Sequence, residues 1–336
     1  MINNWLLILC YSILMLGCSP TRILHTINTN PEEVISSGYI ISNIQGWSKP
    51  TTVDIYDLAL KSKKKQPVMN LEGSGNGSIS KLGNNKLLAA SGTWIYVIDM
   101  EKWQATKLVK GHSPVALKGH NKFLFISEDQ GASSYLNIAD MDKSPVSVRE
   151  IYEIDDNMYQ YIYLQVSKDK VISSGPKGDR YNAYEIDINT LQYQPSPVGE
   201  CTPYIWFESQ KRLLCWEGKV IHHINFFGWE SRVTKNPFFL TKLDGFDRKL
   251  WNDEHLPIVN TGWHDDEYPI YYIPEREVLI INRLPRHISK SGDLYAYDMK
   301  NKKEVRLFPS HADPYDLIWL ESLPSESSNL IEQKKN

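Results

Sequence analysis

Apolar residues in this chain come in short runs broken by Gly, Pro, Asn, Asp and Ser, and beyond the N-terminus no stretch keeps a helical period. The pattern predicts strands joined by turns, an all-β chain. One unit recurs six times, an apolar strand ending in Asp: VDIYDLA, IYVIDME, LNIADMD, YEIDINT, FLTKLDG and LYAYDMK. Its aspartates, Asp57, Asp99, Asp140, Asp187, Asp244 and Asp298, are 42, 41, 47, 57 and 54 residues apart. Such spacings suit a four-stranded propeller blade.

Ahead of the last five units lies a second strand, KLLAAS, KFLFIS, KVISS, RLLCW and EVLII, reached through a polar turn such as Gly83-Asn84-Asn85 or Lys168-Asp169. Each repeat then runs strand A, tight turn, strand B, variable loop, strand C ending in Asp, tight turn, strand D. The Asp needs no functional role, because its carboxylate can accept backbone N–H groups in the turn that leaves strand C. The first repeat starts at strand B, Tyr39 to Ser42, whereas the chain ends with a lone apolar strand, Asp316 to Leu320. The expected fold is a six-bladed β-propeller, its ring closed by pairing of the C-terminal strand with the N-terminal blade, which leaves no open sheet edge. A second topology, with residues 22–28 as strand A of the first blade, also keeps six blades and stays open.

Composition excludes more than it assigns. With 336 residues, 41% of them hydrophobic, the chain can bury a large core. Its 37 basic and 40 acidic side chains give a net charge of -3, which sets up no field that would draw it to nucleic acid.

The N-terminus carries an address. Residues 5–16, WLLILCYSILML, form an apolar run of 12, short of the roughly 20 residues that span a bilayer but of the length of a signal-peptide core. Its end, Met15-Leu16-Gly17-Cys18-Ser19, resembles the lipobox of bacterial lipoproteins. The resemblance implies a signal peptide over 1–17, palmitate and related acyl chains on Cys18, and a protein tethered to the lipid membrane rather than spanning it. With Ser19 after the cysteine, it further implies an outer-membrane lipoprotein facing the periplasm or the surface. A short helix packed on the domain and an uncleaved anchor are the alternatives. Residues 18–34 read as a tether, 35–322 as the propeller and 323–336 as a disordered tail, and the 35–322 segment resembles the six-bladed propellers of bacterial lipoproteins.

In the exported chain Cys201 and Cys215 are the remaining thiols, and export favours oxidation. A regular hairpin about Ser209-Gln210 puts Cys201 opposite residue 218, and a bulge at Pro203 would restore a bridging register. Bridged and free states both stay open.

Strand direction puts the A-to-B and C-to-D turns on one rim and the B-to-C and D-to-A loops on the other, and function collects where loops are long. The longest are 217–236, in blade five, and 248–268, leading into blade six. They place His222, Trp229, Trp251, His255, Trp263 and His264 on the loop rim, with Arg283 and Arg286 from the next B-to-C loop. Aromatic rings there suit sugar stacking or protein contacts, and loop-on-loop packing is the plain alternative. His264 with Asp253, Asp265 and Glu267 is an imidazole and carboxylate set that suits a divalent metal, the alternative being a hydrated loop. No other cofactor is expected, since phosphate-loop, GxSxG, HExxH and dinucleotide signatures are all missing. Lys61, Lys63, Lys64 and Lys65 read as a solvated turn.

The favoured reading is a non-catalytic binding module for an envelope protein or glycan. A metal-dependent hydrolase or lyase on the same rim, and a structural platform of an envelope assembly, are the competing readings.

Overall fold

In a computed structural model, the protein is described over residues 34–35, 37–45, 51–72, 76–83, 85–128, 133–154, 163–177, 180–216, 220–225, 228–233, 238–250, 267–283, 293–309 and 317–324. Among the described residues its strands form six antiparallel sheets, each with a path of four, arranged in a ring, and one separate two-stranded sheet. Blade 1 is built from Leu317–Leu320, Tyr39–Gln45, Thr52–Asp57 and Ser62–Pro67, in that order from A to D. Blades 2 to 6 follow over 79–110, 112–154, 163–200, 202–250 and 267–309. The fold is a six-bladed β-propeller.

The C-terminal strand closes the ring as expected. Tyr39 pairs with Leu320, Ile40 with Trp319, Ile41 with Ile318 and Ser42 with Leu317. Residues 22–28, the other candidate for this strand, lie outside the described residues. Val34 and Leu323, near the two ends of the described chain, are both buried.

Strand B is apolar at nearly every position because both of its faces are covered, which removes the usual alternation. Successive residues serve opposite neighbours. In blade 2, Leu87 and Ala89 join the cluster shared with blade 1, while Leu88 joins the cluster shared with blade 3. In blade 3, Phe123 and Phe125 pack toward blade 2, and Leu124 and Ile126 toward blade 4. Every junction between adjacent blades has its own apolar cluster. Area removed from water there, at about 25 cal/mol per Å2, is what holds the blades together.

The repeated Asp does what the spacing predicts. Asp99 accepts from the Glu101 N–H at 2.9 Å, Asp187 from Asn189 at 2.9 Å and Thr190 at 2.8 Å, and Asp298 from Lys300 at 2.9 Å and Asn301 at 2.8 Å. Asp57 and Asp140 do the same in blades 1 and 3. Blade 5 departs in position: its strand C ends at Thr241, and Asp244 accepts from Phe246 within a wider turn. That turn, 242–248, and the blade 3 turns at 117–121 and 141–146 are longer than the uniformly tight turns expected on this rim.

Two D-to-A connections shrink to a single residue. Gly111 joins blades 2 and 3 at φ +150°, and a Cβ there would sit 2.5 Å from Ile126 O and 2.6 Å from the Phe125 ring, so the position needs glycine. Cys201 joins blades 4 and 5 and is bonded to Cys215, with both residues buried. The register that permits the bond comes from a one-residue shift between Pro203 and Ile205, which sets Pro203 opposite Cys215. The bulge therefore falls at Tyr204, next to the expected place.

Lys63, Lys64 and Lys65 lie on strand D of blade 1, not in the turn before it. Lys63 makes an ion pair of 2.5 Å with Asp54, whose side chain is only 2% exposed. Burial opposes the charge on Lys63, but hydrogen bonds to Asp54 and Tyr56 outweigh it and hold its pKa above the usual lysine range.

Candidate functional site

The loop rim is uneven. Blade 2 turns from B to C through Gly92-Thr93, and Gly111 and Cys201 are one-residue connections on the same rim. The longest connections are 217–237 in blade 5 and 251–266 between blades 5 and 6, followed by 68–78 between blades 1 and 2. Within the long B-to-C segment of blade 5 the backbone forms a hairpin, Val220–Asn225 with Gly228–Val233, as a sheet of its own. Its register sets His222 across from Ser231, His223 from Glu230 and Ile224 from Trp229. The apolar-polar mixture there reads as a loop in the sequence. The β-branched Val220, Ile221, Ile224 and Val233 hint at pairing.

Of the candidate residues, His222 and Trp229 lie on this hairpin, and Arg283 and Glu267 at the loop end of blade 6. Trp251, Asp253, His255, Trp263, His264, Asp265 and Arg286 lie outside the described residues, as does Cys18. In blade 6 the ladder sets Arg283 opposite Glu267 on one side and Asp293 on the other. This row was not legible in the sequence, because Asp293 lies ten positions beyond Arg283 with an unassigned loop between. Among the described residues, no three His, Cys, Asp or Glu side chains gather as a metal set.

Other members of the rim are engaged in packing. Tyr204 meets Phe238 edge-on at 5.2 Å, and Trp216 packs on the blade 5–6 cluster. His112 lies 3.4 Å from Glu128 and 3.1 Å from the Ser113 hydroxyl. Burial lowers its pKa, with Glu128 pulling the other way.

A groove of about 760 Å3 opens on the opposite, turn-side rim between blades 2 and 3, within the roughly 300–1,000 Å3 of small-ligand sites. Leu82, Val97, Leu108, Met141 and Val146 make its apolar wall. Lys81, Lys86 and Lys118 stand around it, and none of them pairs with a carboxylate among the described residues. His120, also at its edge, is committed elsewhere: it donates to Lys168 O at 2.8 Å, with Asp169 3.4 Å away, tying blade 3 to blade 4. Gln165 adds a second tie there, its amide bonding both N–H and O of Lys118. The groove has the chemistry for an amphipathic anion.

Neither a protein-family model nor a curated protein matches the chain. Among solved structures it is similar to TolB from Acinetobacter baumannii, at 12% identity and a TM-score of 0.56 over 84% of this chain and 67% of that one. It is also similar to a chain of a nidogen/laminin complex, at 9% identity and a TM-score of 0.50 over 84% of this chain and 98% of that one. At such identities the likeness is one of fold, and it agrees with the ring derived above.

Proposed function

We propose that the protein is an exported, lipid-anchored propeller that holds a protein or glycan partner in the bacterial cell envelope and performs no chemistry on it. The hairpin inserted into blade 5 is the observation that carries the binding reading. Among the described residues it pairs with no strand of its blade and takes no part in closing the ring, so the fold does not require it. An added element beside the longest connections is the usual form of a recognition surface. The candidate contacts are His222, Trp229, Trp251, His255, Trp263, His264, Arg283 and Arg286. Export is supported by the Cys201–Cys215 bond, which persists in oxidising compartments, and anchoring by Met15-Leu16-Gly17-Cys18.

The test replaces residues 217–236 by a two-residue turn like Gly92-Thr93 and compares crosslinked adducts in intact cells. The parent chain is expected to give a discrete adduct that the shortened chain loses, with its melting temperature little changed. An adduct that survives the replacement removes this rim from the reading. Palmitate labelling that persists in a Cys18→Ala variant removes the anchor.

A further inference from the structure

Because strand A of blade 1 comes from the C-terminus, the N-terminal segment joins the ring at the start of strand B. Tyr39 lies opposite both Asp57 and Leu320, at the turn-side end. Just before it, Gly38 O accepts from Leu58 N, and Ser37 Oγ accepts from Arg276 of blade 6. Val34 and Ile35 are buried in the cluster shared by blades 6 and 1. The chain leading back to Cys18 therefore departs from the turn-side rim, at the junction of blades 6 and 1. Val34 lies sixteen positions beyond Cys18, and a random coil of that length would span about 20–24 Å on average, close to the roughly 23 Å height of a seven-residue strand. An anchor on Cys18 thus brings the turn-side rim to the bilayer readily. To present the other rim, the tether would first have to run the height of the ring.

The same rim carries the two most exposed large hydrophobic side chains among the described residues, Leu60 at 74% and Phe246 at 73%. They occupy the C-to-D turns of blades 1 and 5, on either side of blade 6. The matching turn of blade 6 presents exposed Lys300 and Lys302, Lys61 adjoins Leu60, and Lys242 opens the Phe246 turn, 4.0 Å from Asp247. The aspartates of these turns bind turn amides, and Asp247 is held by Arg212. Glu275 and Glu277, on the A-to-B turn of blade 6, with Glu208 and Glu321 just past strand A of blades 5 and 1, bring acidic charge to the same sector. Apolar tips at turn ends, with lysines between them, are chemistry for an anionic lipid surface.

We propose that the arc of the turn-side rim formed by blades 5, 6 and 1 rests on the membrane that carries the anchor, with Leu60 and Phe246 among the headgroups and the loop rim turned away. The inference rests on the lipid-anchored reading above. Its test uses the full-length acylated chain reconstituted into phosphatidylethanolamine/phosphatidylglycerol vesicles, with flotation and amide hydrogen exchange read on one sample. Amides of 58–62 and 243–248 are expected to exchange severalfold more slowly in the parent than in a Leu60→Ser/Phe246→Ser variant, while the Gly92-Thr93 turn on the other rim exchanges equally in both. Protein that floats but shows equal exchange at 58–62 and 243–248, or protection at 92–93 instead, overturns the orientation and leaves the anchor standing. Protein that does not float overturns the anchor and the orientation with it. An unchanged melting temperature in the variant shows that the lost protection is not unfolding.

Discussion

If the ring is held shut by its last strand, truncating one side chain of that strand must weaken the whole domain. Ile318 is 2% exposed and packs with blade 2, whereas Trp319, 8% exposed, packs with blade 6 under the Arg276 guanidinium at 5.5 Å. Ile318→Ala is expected to cost about 2–5 kcal/mol and Trp319→Ala about 3–5 kcal/mol, a large part of the roughly 5–15 kcal/mol that domains possess. Leu60→Ala, in the same blade but on the surface, should stay within about 0.5 kcal/mol. At about 2 °C per kcal/mol for a domain this large, the core variants should melt about 4–10 °C below the parent. Urea denaturation supplies the free energies through the midpoint and slope, and amide exchange at Tyr39–Ser42, the partners of the strand, supplies the location. Two results would refute the reasoning. One is a loss below about 0.5 kcal/mol in both core variants. The other is a full loss with the amides of Tyr39–Ser42 protected as in the parent.

Further outcomes follow from other features. A Cys201→Ala/Cys215→Ala variant should lose about 3 kcal/mol, the chain-entropy value for a loop of this length, and an unchanged melting temperature would show that the bond adds nothing. Lys63→Met leaves Asp54 buried without its ion pair, at a cost of about 3–5 kcal/mol near neutral pH, toward the lower end because Lys63 is partly solvated. Since the folded pKa of Lys63 lies above its unfolded value, that stabilisation is complete below about pH 10.4 and disappears as pH rises through the folded pKa. The gap between variant and parent should narrow there. The Asp187 carboxyl, held low mainly by the Thr190 N–H, should titrate below about 3.9 by carboxyl NMR. Its contribution is present above that value and lost as pH falls through the folded pKa. Gly38→Ala should destabilise the seam, because a Cβ at φ +104° would meet Trp319 Nε1 at 2.7 Å and Leu320 O at 2.9 Å; a melting temperature equal to the parent's would contradict this.

The ring was legible because its signals are local and repeated. Asp at the end of strand C satisfies turn amides within three residues, so it recurs wherever the turn does. Strand B, covered on both faces, writes an unbroken apolar run. Blade 5 was the hardest to place: its Asp had slipped past the strand end, and its inserted hairpin pairs only with itself, leaving no periodic mark. The Lys63–Asp54 pair was missed for another reason, since four clustered lysines look alike in a sequence, and only the burial of Asp54 singles one out. Candidate residues on the long connections were legible as a concentration of His, Trp and Arg, but how they sit together is decided by tertiary placement that spacing does not encode. The groove between blades 2 and 3 draws on residues from three repeats, Tyr271 of blade 6 among them, and nothing in any one repeat marks it.

The seam also bears on how the chain is made. Tyr39 is made long before Leu320, so until Leu317–Leu320 is in place blade 1 carries a bare edge and no native circle exists. A nonsense codon anywhere ahead of Leu317 yields a product with an unpaired strand and an open apolar junction against blade 6. The closing strand in this way gates completion of the propeller: a copy that stops short of Leu317 is left with an adhesive, protease-sensitive edge.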